Sequence, residues 1–194
     1  MRLAVLCLLA TTLLPSLAQA QVPVFVISQE GSSVEFSVKA SVAIEGKFDN
    51  WEATITFPST DVTKGVTDIK IQAASVNTGS GTKDGKLRSK DFFDAKDAPY
   101  ITFHSDKIVQ TGPDTLVLPG AFTIRGVSKP ETLTFTITGG KGTGEGTVTG
   151  TMAFDRKDYG MNSGIPFIKI ADRVEVTVHL KGKRVSGPPL VFKE

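Results

Sequence analysis

"DRVEVTVHL", Asp172 to Leu180, is the stretch on which the fold class turns. Val174, Val176, Val178 and Leu180 alternate in it with Arg173, Glu175, Thr177 and His179. Successive side chains of a strand point to opposite sides, so this two-residue period predicts an extended segment with one dry and one wet face. Such a segment belongs to antiparallel sheet that is solvated on one side.

The same alternation recurs outward along the chain. "SSVEFSVKA" (Ser32 to Ala40) places Val34, Phe36 and Val38 on one face, and "WEATITF" (Trp51 to Phe57) places Trp51, Ala53, Ile55 and Phe57 there. "DIKIQA" (Asp68 to Ala73) does so with Ile69, Ile71 and Ala73, and "TLTFTIT" (Thr132 to Thr138) with Leu133, Phe135 and Ile137. "TVTGTMAF" (Thr147 to Phe154) contributes Val148, Met152 and Phe154. Between the runs lie turn residues. In "RGVSKP" (Arg125 to Pro130), Gly126 is free to take positive φ and Pro130 is expected to open the next strand. "TGGKGTGEG" (Thr138 to Gly146) matches neither glycine-rich phosphate-binding pattern and has no helix after it, so it reads as a flexible turn. About eight strands are expected, enough for a closed barrel or a two-sheet sandwich, and periodicity alone does not separate the two.

One segment breaks the pattern. "KLRSKDFFDAKDAPYITF" (Lys86 to Phe103) crowds charges against paired phenylalanines before alternation resumes at Ile101. It predicts one or two short helical turns between Lys83 and Phe93, with Thr82 or Ser89 as N-cap and Leu87, Phe92 and Phe93 buried. Asp91, Asp94 and Asp97 invite an acid–base reading. Capping and pairing with Arg88 and nearby lysines is the simpler account, because nothing in the sequence desolvates them. His104 and His179 fall on wet faces without partners at ligand spacing, so no metal site is expected. No serine sits in a nucleophile elbow, and no enzyme activity is expected.

The N-terminus is an export signal in form. Basic Arg2 precedes an apolar run from Leu3 to Leu14, and Ala18-Gln19-Ala20 supplies small residues for cleavage before Gln21. The run is shorter than the ~20 residues that span a bilayer, so no membrane span is expected. Cleavage leaves one domain, residues 21–194, without cysteine, since Cys7 is the sole one in the sequence. Disulfides, thiolate metal sites and thiol nucleophiles are thereby excluded from the mature chain. Charge is nearly balanced, with 22 basic and 20 acidic residues overall and no basic stripe, which argues against a nucleic-acid partner.

Four motifs carry a resemblance across essentially the whole mature chain. They are "VEFSVKASVAIEGKFDNWEATITF" (Val34 to Phe57), "KDGKLRSKDFFDAKDAPYITF" (Lys83 to Phe103), "GAFTIRGVSKPETLTF" (Gly120 to Phe135) and "FDRKDYGM" (Phe154 to Met161), the last followed by "ADRVEVTV" (Ala171 to Val178). In these the chain resembles the YceI-like family of bacterial periplasmic polyisoprenoid-binding proteins. The resemblance implies an all-β fold, a single antiparallel eight-stranded lipocalin-like β-barrel, and a periplasmic carrier that sequesters an isoprenoid or similar apolar chain. The ligand implied is an isoprenoid or isoprenoid quinone, with no other cofactor. The matching interior positions are Phe36, Val38, Phe48, Ile55, Ile69 and Ile71, followed by Phe92, Phe93, Phe103, Phe122, Phe135 and Phe154. The chain departs from the family pattern at Ala40 and at Lys83-Asp84-Gly85-Lys86-Leu87, where histidine is common. Lys83, Lys86 and Arg88 are there placed to meet an anionic or phenolic head group. The alternative is a solid-cored β-sandwich acting as an interaction or stress-response module. Homodimerisation through strand edges or a barrel mouth stays open.

Overall fold

The computed structural model describes residues 21–41, 43–140, 144–164 and 169–193. The predicted signal peptide, residues 1–20, lies outside them. Eleven strands form one antiparallel sheet: β1 (Val24–Ala40), β2 (Ile44–Phe48), β3 (Trp51–Thr56), β4 (Val66–Gln72), β5 (Val76–Asn77), β6 (Tyr100–Ser105), β7 (Val109–Gln110), β8 (Thr115–Ile124), β9 (Val127–Gly139), β10 (Glu145–Asp155) and β11 (Ile170–Ser186). Their order is β3-β4-β6-β8-β9-β10-β11-β1-β2-β5, with β7 paired to β8. The sheet curls strongly on itself as a lipocalin-like half-barrel, and the alternating apolar residues point into it. The strands of the described residues thus form one curled sheet and not the two stacked sheets of a sandwich.

Among the described residues the strand count is eleven rather than the expected eight. β5 and β7 are two residues each, too short to show a period, and β2 interleaves Ile44 and Phe48 with Gly46, which hides its inward face. The two longest strands, β1 and β11, have 17 residues each and pair over most of their length. β1 bends where its register shifts between Ser28 and Ser33, and Gly31 there takes φ 78°, a conformation costly for a side chain. The ladder is incomplete on one side, because β3 pairs with β4 and not with β1. At the seam, β3 meets the N-terminal half of β1 through side chains: Gln29 Nε2 donates to the Trp51 carbonyl at 2.7 Å, and the Phe25 and Phe57 rings lie 5.7 Å apart edge to face.

Arg125 and Gly126 form the two-residue hairpin between β8 and β9, with φ of 55° and 75°, as a primed turn requires. β9 starts at once after them, so Pro130 stands inside the strand opposite Ala121 instead of opening it. The glycine-rich turn expected between Thr138 and Gly146 joins β9 to β10, and its residues 141–143 lie outside the described ones. The one α-helix among the described residues, α1 (Gly81–Arg88), begins earlier than expected. Ser80 is its N-cap, Ser89 is its C-cap, and Thr82 is helical. The buried Asp84 carboxylate accepts from the Thr78 amide at 2.8 Å and hydroxyl at 2.7 Å, fixing the chain's entry into α1. Three single turns of 3-10 helix, at Val62–Lys64, Ala73–Ser75 and Arg156–Tyr159, had no signal in the alternation.

Candidate functional site: an apolar interior in two cavities

The inward faces enclose two cavities. The first, about 100 Å³, lies among residues that include Phe57, Leu116, Phe135, Ile137, Val148 and Leu180. The second, about 60 Å³, lies among residues that include Phe36, Phe48, Phe93, Phe122, Phe154 and Val174. They sit one behind the other along the half-barrel. On β4 the inward residues pass from Thr67 at the first cavity, through Ile69, to Ile71 at the second. On β8 they pass from Leu116 through Leu118 to Phe122, and on β11 from Leu180 through Val178 to Val174. Ile69, Leu118 and Val178, with Phe103 and Leu133, are buried yet line neither cavity. They form an apolar septum across the interior.

The expected interior residues divide accordingly. Phe36, Val38, Phe48, Ile71, Phe92, Phe93, Phe122 and Phe154 line the second cavity. Ile55 and Phe135 line the first, with Ile55 only partly buried because it stands on the edge strand β3. Ile69 and Phe103 belong to the septum, so no continuous tunnel joins all twelve.

Glycines permit this packing of phenylalanine. Gly46, opposite Phe36, and Gly150, opposite Phe135, point inward, and a β-carbon on either would lie 2.7 Å or 2.6 Å from the facing ring. A β-carbon on Gly120 would meet the His104 carbonyl oxygen first and then the Phe103 ring, at 2.7 Å. Rings laid over cross-strand glycines fill the interior without forcing the strands apart.

The second cavity is closed by two structures. One is the segment from α1 to Pro99. It buries Leu87, Phe92 and Phe93, with the Phe93 ring 6.0 Å from Phe36 and 5.6 Å from Phe48. The other is the turn Arg156–Tyr159, ended by Gly160 at φ 76°. Tyr159 is fully buried, its ring against Phe122 and Phe154. Its hydroxyl donates to Glu131 at 3.1 Å, and burial pushes its pKa well above the ordinary 10. Arg156, only 7% exposed, spans this end: its Nε donates to the Ala171 carbonyl, Nη1 to those of Met161 and Ser163, and Nη2 to Asp172. A hydrogen bond from Lys157, reinforced by the charges of Lys157 and Arg156, holds Asp172 below its ordinary pKa. Arg156 lines the second cavity with all its nitrogens engaged, so it serves as a latch.

The cations proposed for a head group do not converge on either cavity. Lys83 is exposed, Lys86 pairs with Asp91 at 2.5 Å, and Arg88 donates to the Val76 carbonyl at 3.1 Å. Arg88 thus serves backbone and not the aspartates. Asp91 pairs with Lys86, whose hydrogen bond depresses its pKa, and Asp94 accepts at its carbonyl from the amides of Asp97 and Ala98. His104 is exposed and bonds Asp68 at 2.7 Å, and His179 is exposed beside Thr149. Among the described residues no group of three or more His, Cys, Asp or Glu is placed to hold a metal ion, and no helix is long and apolar enough to cross a membrane.

The first cavity was the less legible one. Among the described residues its single polar side chain is Thr67, which is completely buried and whose hydroxyl has no hydrogen-bond partner. Its mouth is covered by the segment from Gly187 to Lys193, which inserts Leu190 and Phe192 among the lining residues. That segment is tied down by Val191, whose amide donates to the Thr60 carbonyl at 2.7 Å, and by Lys193 and Gln110, which exchange two bonds of 2.8 Å. "SGPPLVFK" (Ser186 to Lys193) carries no periodicity that would have announced it.

A curled antiparallel sheet with an aromatic-lined, capped interior is the architecture of a lipocalin-like binding protein. The profile of the YceI-like domain matches residues 25–182. The chain belongs to the YceI-like family. It is 29% identical over 169 residues to a UPF0312 protein of Pseudomonas savastanoi, covering 83% of this chain and 88% of that one. The crystal structure of Burkholderia cenocepacia BcnA matches with a TM-score of 0.71 at 26% identity, over 80% of this chain and 98% of that one. A polyisoprenoid binding domain from Saccharophagus degradans, implicated in plant cell wall breakdown, shares the fold at a TM-score of 0.67 and 17% identity, over 84% and 99%.

Proposed function

We propose that this protein is a periplasmic carrier that takes up an isoprenoid, an isoprenoid quinone or a similar long apolar chain in its interior and performs no turnover. The observation that carries this reading is the pair of aligned apolar cavities, separated by side chains alone. Family membership and the polyisoprenoid-binding neighbour support it, and the export-type N-terminus supports the compartment. Cavities of about 100 and 60 Å³ are smaller than the ~150 Å³ that holds one benzene, so a long chain is accommodated by displacing the septum and the caps. The driving force is sufficient. A prenyl chain burying roughly 600 Å² gains about 15 kcal/mol at ~25 cal/mol per Å², and ordering and association remove only part of it.

The same small volumes favour a second reading, in which the interior is a solid core and the protein acts through its surface. Native mass spectrometry of the mature protein, with organic extraction of whatever it carries, separates the two. The carrier reading expects a bound chain, or uptake of added prenyl chains at one per protein. A homogeneous protein that refuses them in excess leaves the solid-core reading standing.

A further inference from the structure

We propose that the cavity beneath Leu190 and Phe192 receives an uncharged oxygen of the ligand, a hydroxyl or a carbonyl, and that Thr67 recognises it. The assignment rests on the carrier reading and adds the chemistry and orientation of the guest. Three observations converge on it. The Thr67 hydroxyl is fully buried and unpartnered, although such groups are nearly always satisfied in folded proteins. Its cross-strand neighbour Ser105 does not answer it with a bond: the Ser105 hydroxyl turns to the carbonyls of Pro119, at 2.7 Å, and Lys107, at 2.9 Å, which share its one hydrogen. No Lys, Arg, His, Asp or Glu lines this cavity among the described residues, so an anionic end placed there would be buried without a counter-charge. Its volume of about 100 Å³ admits a terminal polar group with a few carbons. The hydrocarbon chain would then run toward the septum and the phenylalanine-lined second cavity.

The test uses the purified mature protein and three twenty-carbon probes: geranylgeraniol, its saturated hydrocarbon counterpart phytane, and geranylgeranyl diphosphate. Affinities are measured for the wild type, Thr67→Val and Thr67→Ser. Loss of one neutral hydrogen bond predicts that Thr67→Val weakens the alcohol by about fivefold and phytane by less than twofold, while Thr67→Ser matches the wild type. The diphosphate is expected to bind the wild type more weakly than the alcohol. Equal changes for alcohol and hydrocarbon, or none, overturn the Thr67 assignment while leaving the carrier reading intact. A wild type that binds neither neutral probe overturns both. A second measurement guards against misfolding: without ligand, Thr67→Val should melt no lower than the wild type, because it replaces an unanswered hydroxyl with a methyl group. A clear drop would mean that the hydroxyl serves the fold, and would also overturn the assignment.

Discussion

Gly150 on β10 faces Phe135 on β9, and the phenylalanine ring occupies the space in which a β-carbon at position 150 would stand, 2.6 Å away. Glycine here is required by its neighbour, not by a turn. Gly150→Ala must push the ring out of a filled interior, and overpacking of this kind costs about 1–3 kcal/mol. A fall in melting temperature of roughly 3–8 °C is expected by calorimetry. Gly85→Ala is the control. An added methyl there meets nothing within 4 Å, and the residue is interior to α1, so a gain of about 0.5–1 kcal/mol is expected.

Arg156 answers three carbonyls and one carboxylate at the closed end of the second cavity. Arg156→Leu leaves those acceptors without their donor and should cost about 3–5 kcal/mol in urea titration. Arg156→Lys should recover little, since one ammonium cannot span the planar fork of contacts. Near-full recovery by lysine would show that charge alone matters at this end.

Asp172 gives the latch a pH dependence. Its folded pKa lies below the ordinary 3.8, so its contribution is present above that value and is lost as pH falls through the folded pKa. Asp172→Asn should therefore melt below the wild type at neutral pH, and the difference should shrink as the pH falls below the ordinary 3.8 and through the folded pKa. A gap that stays constant into acid would show that charge is not what Asp172 supplies.

The septum predicts a chain-length effect. Leu118→Ala should cost about 2–5 kcal/mol in the ligand-free protein, as for other fully buried leucines. On the carrier reading it also lowers the resistance between the cavities, so affinity should rise more for long prenyl chains than for short ones. Equal gains at every length would mean that the septum does not limit the guest.

The residues themselves explain what the sequence could reveal. Phe36, Phe122 and Phe154 announce their inward direction because their strands alternate cleanly. Gly46, Gly120 and Gly150 share that direction but carry no hydrophobic signal, so the device that seats the rings stayed hidden. Thr67 is in phase with Ile69 and Ile71, which makes it the polar residue on an apolar parity, yet a threonine in a strand attracts no notice until its burial is seen. Arg156 lies within a recognisable motif, but its role depends on carbonyls brought from Ala171 and from the loop at Met161 and Ser163, which no local pattern encodes. Leu190 and Phe192 lie beyond residues 25–182, which the family profile matches, in a segment whose docking partners, Thr60 and Gln110, are remote in sequence.

The incomplete ladder has a mechanical consequence. A closed ring of strands widens only by breaking or shearing main-chain hydrogen bonds, and it resists any increase in girth. This wall lacks main-chain pairing between β3 and the N-terminal half of β1, where the Gln29 amide on Trp51 and the Phe25–Phe57 contact take its place. There the wall parts by separating side chains, while the β1–β2 and β2–β5 pairs and the main-chain bonds from Asp49 to Ser75 and from Gln72 to Asn50 hold the rest of the girth.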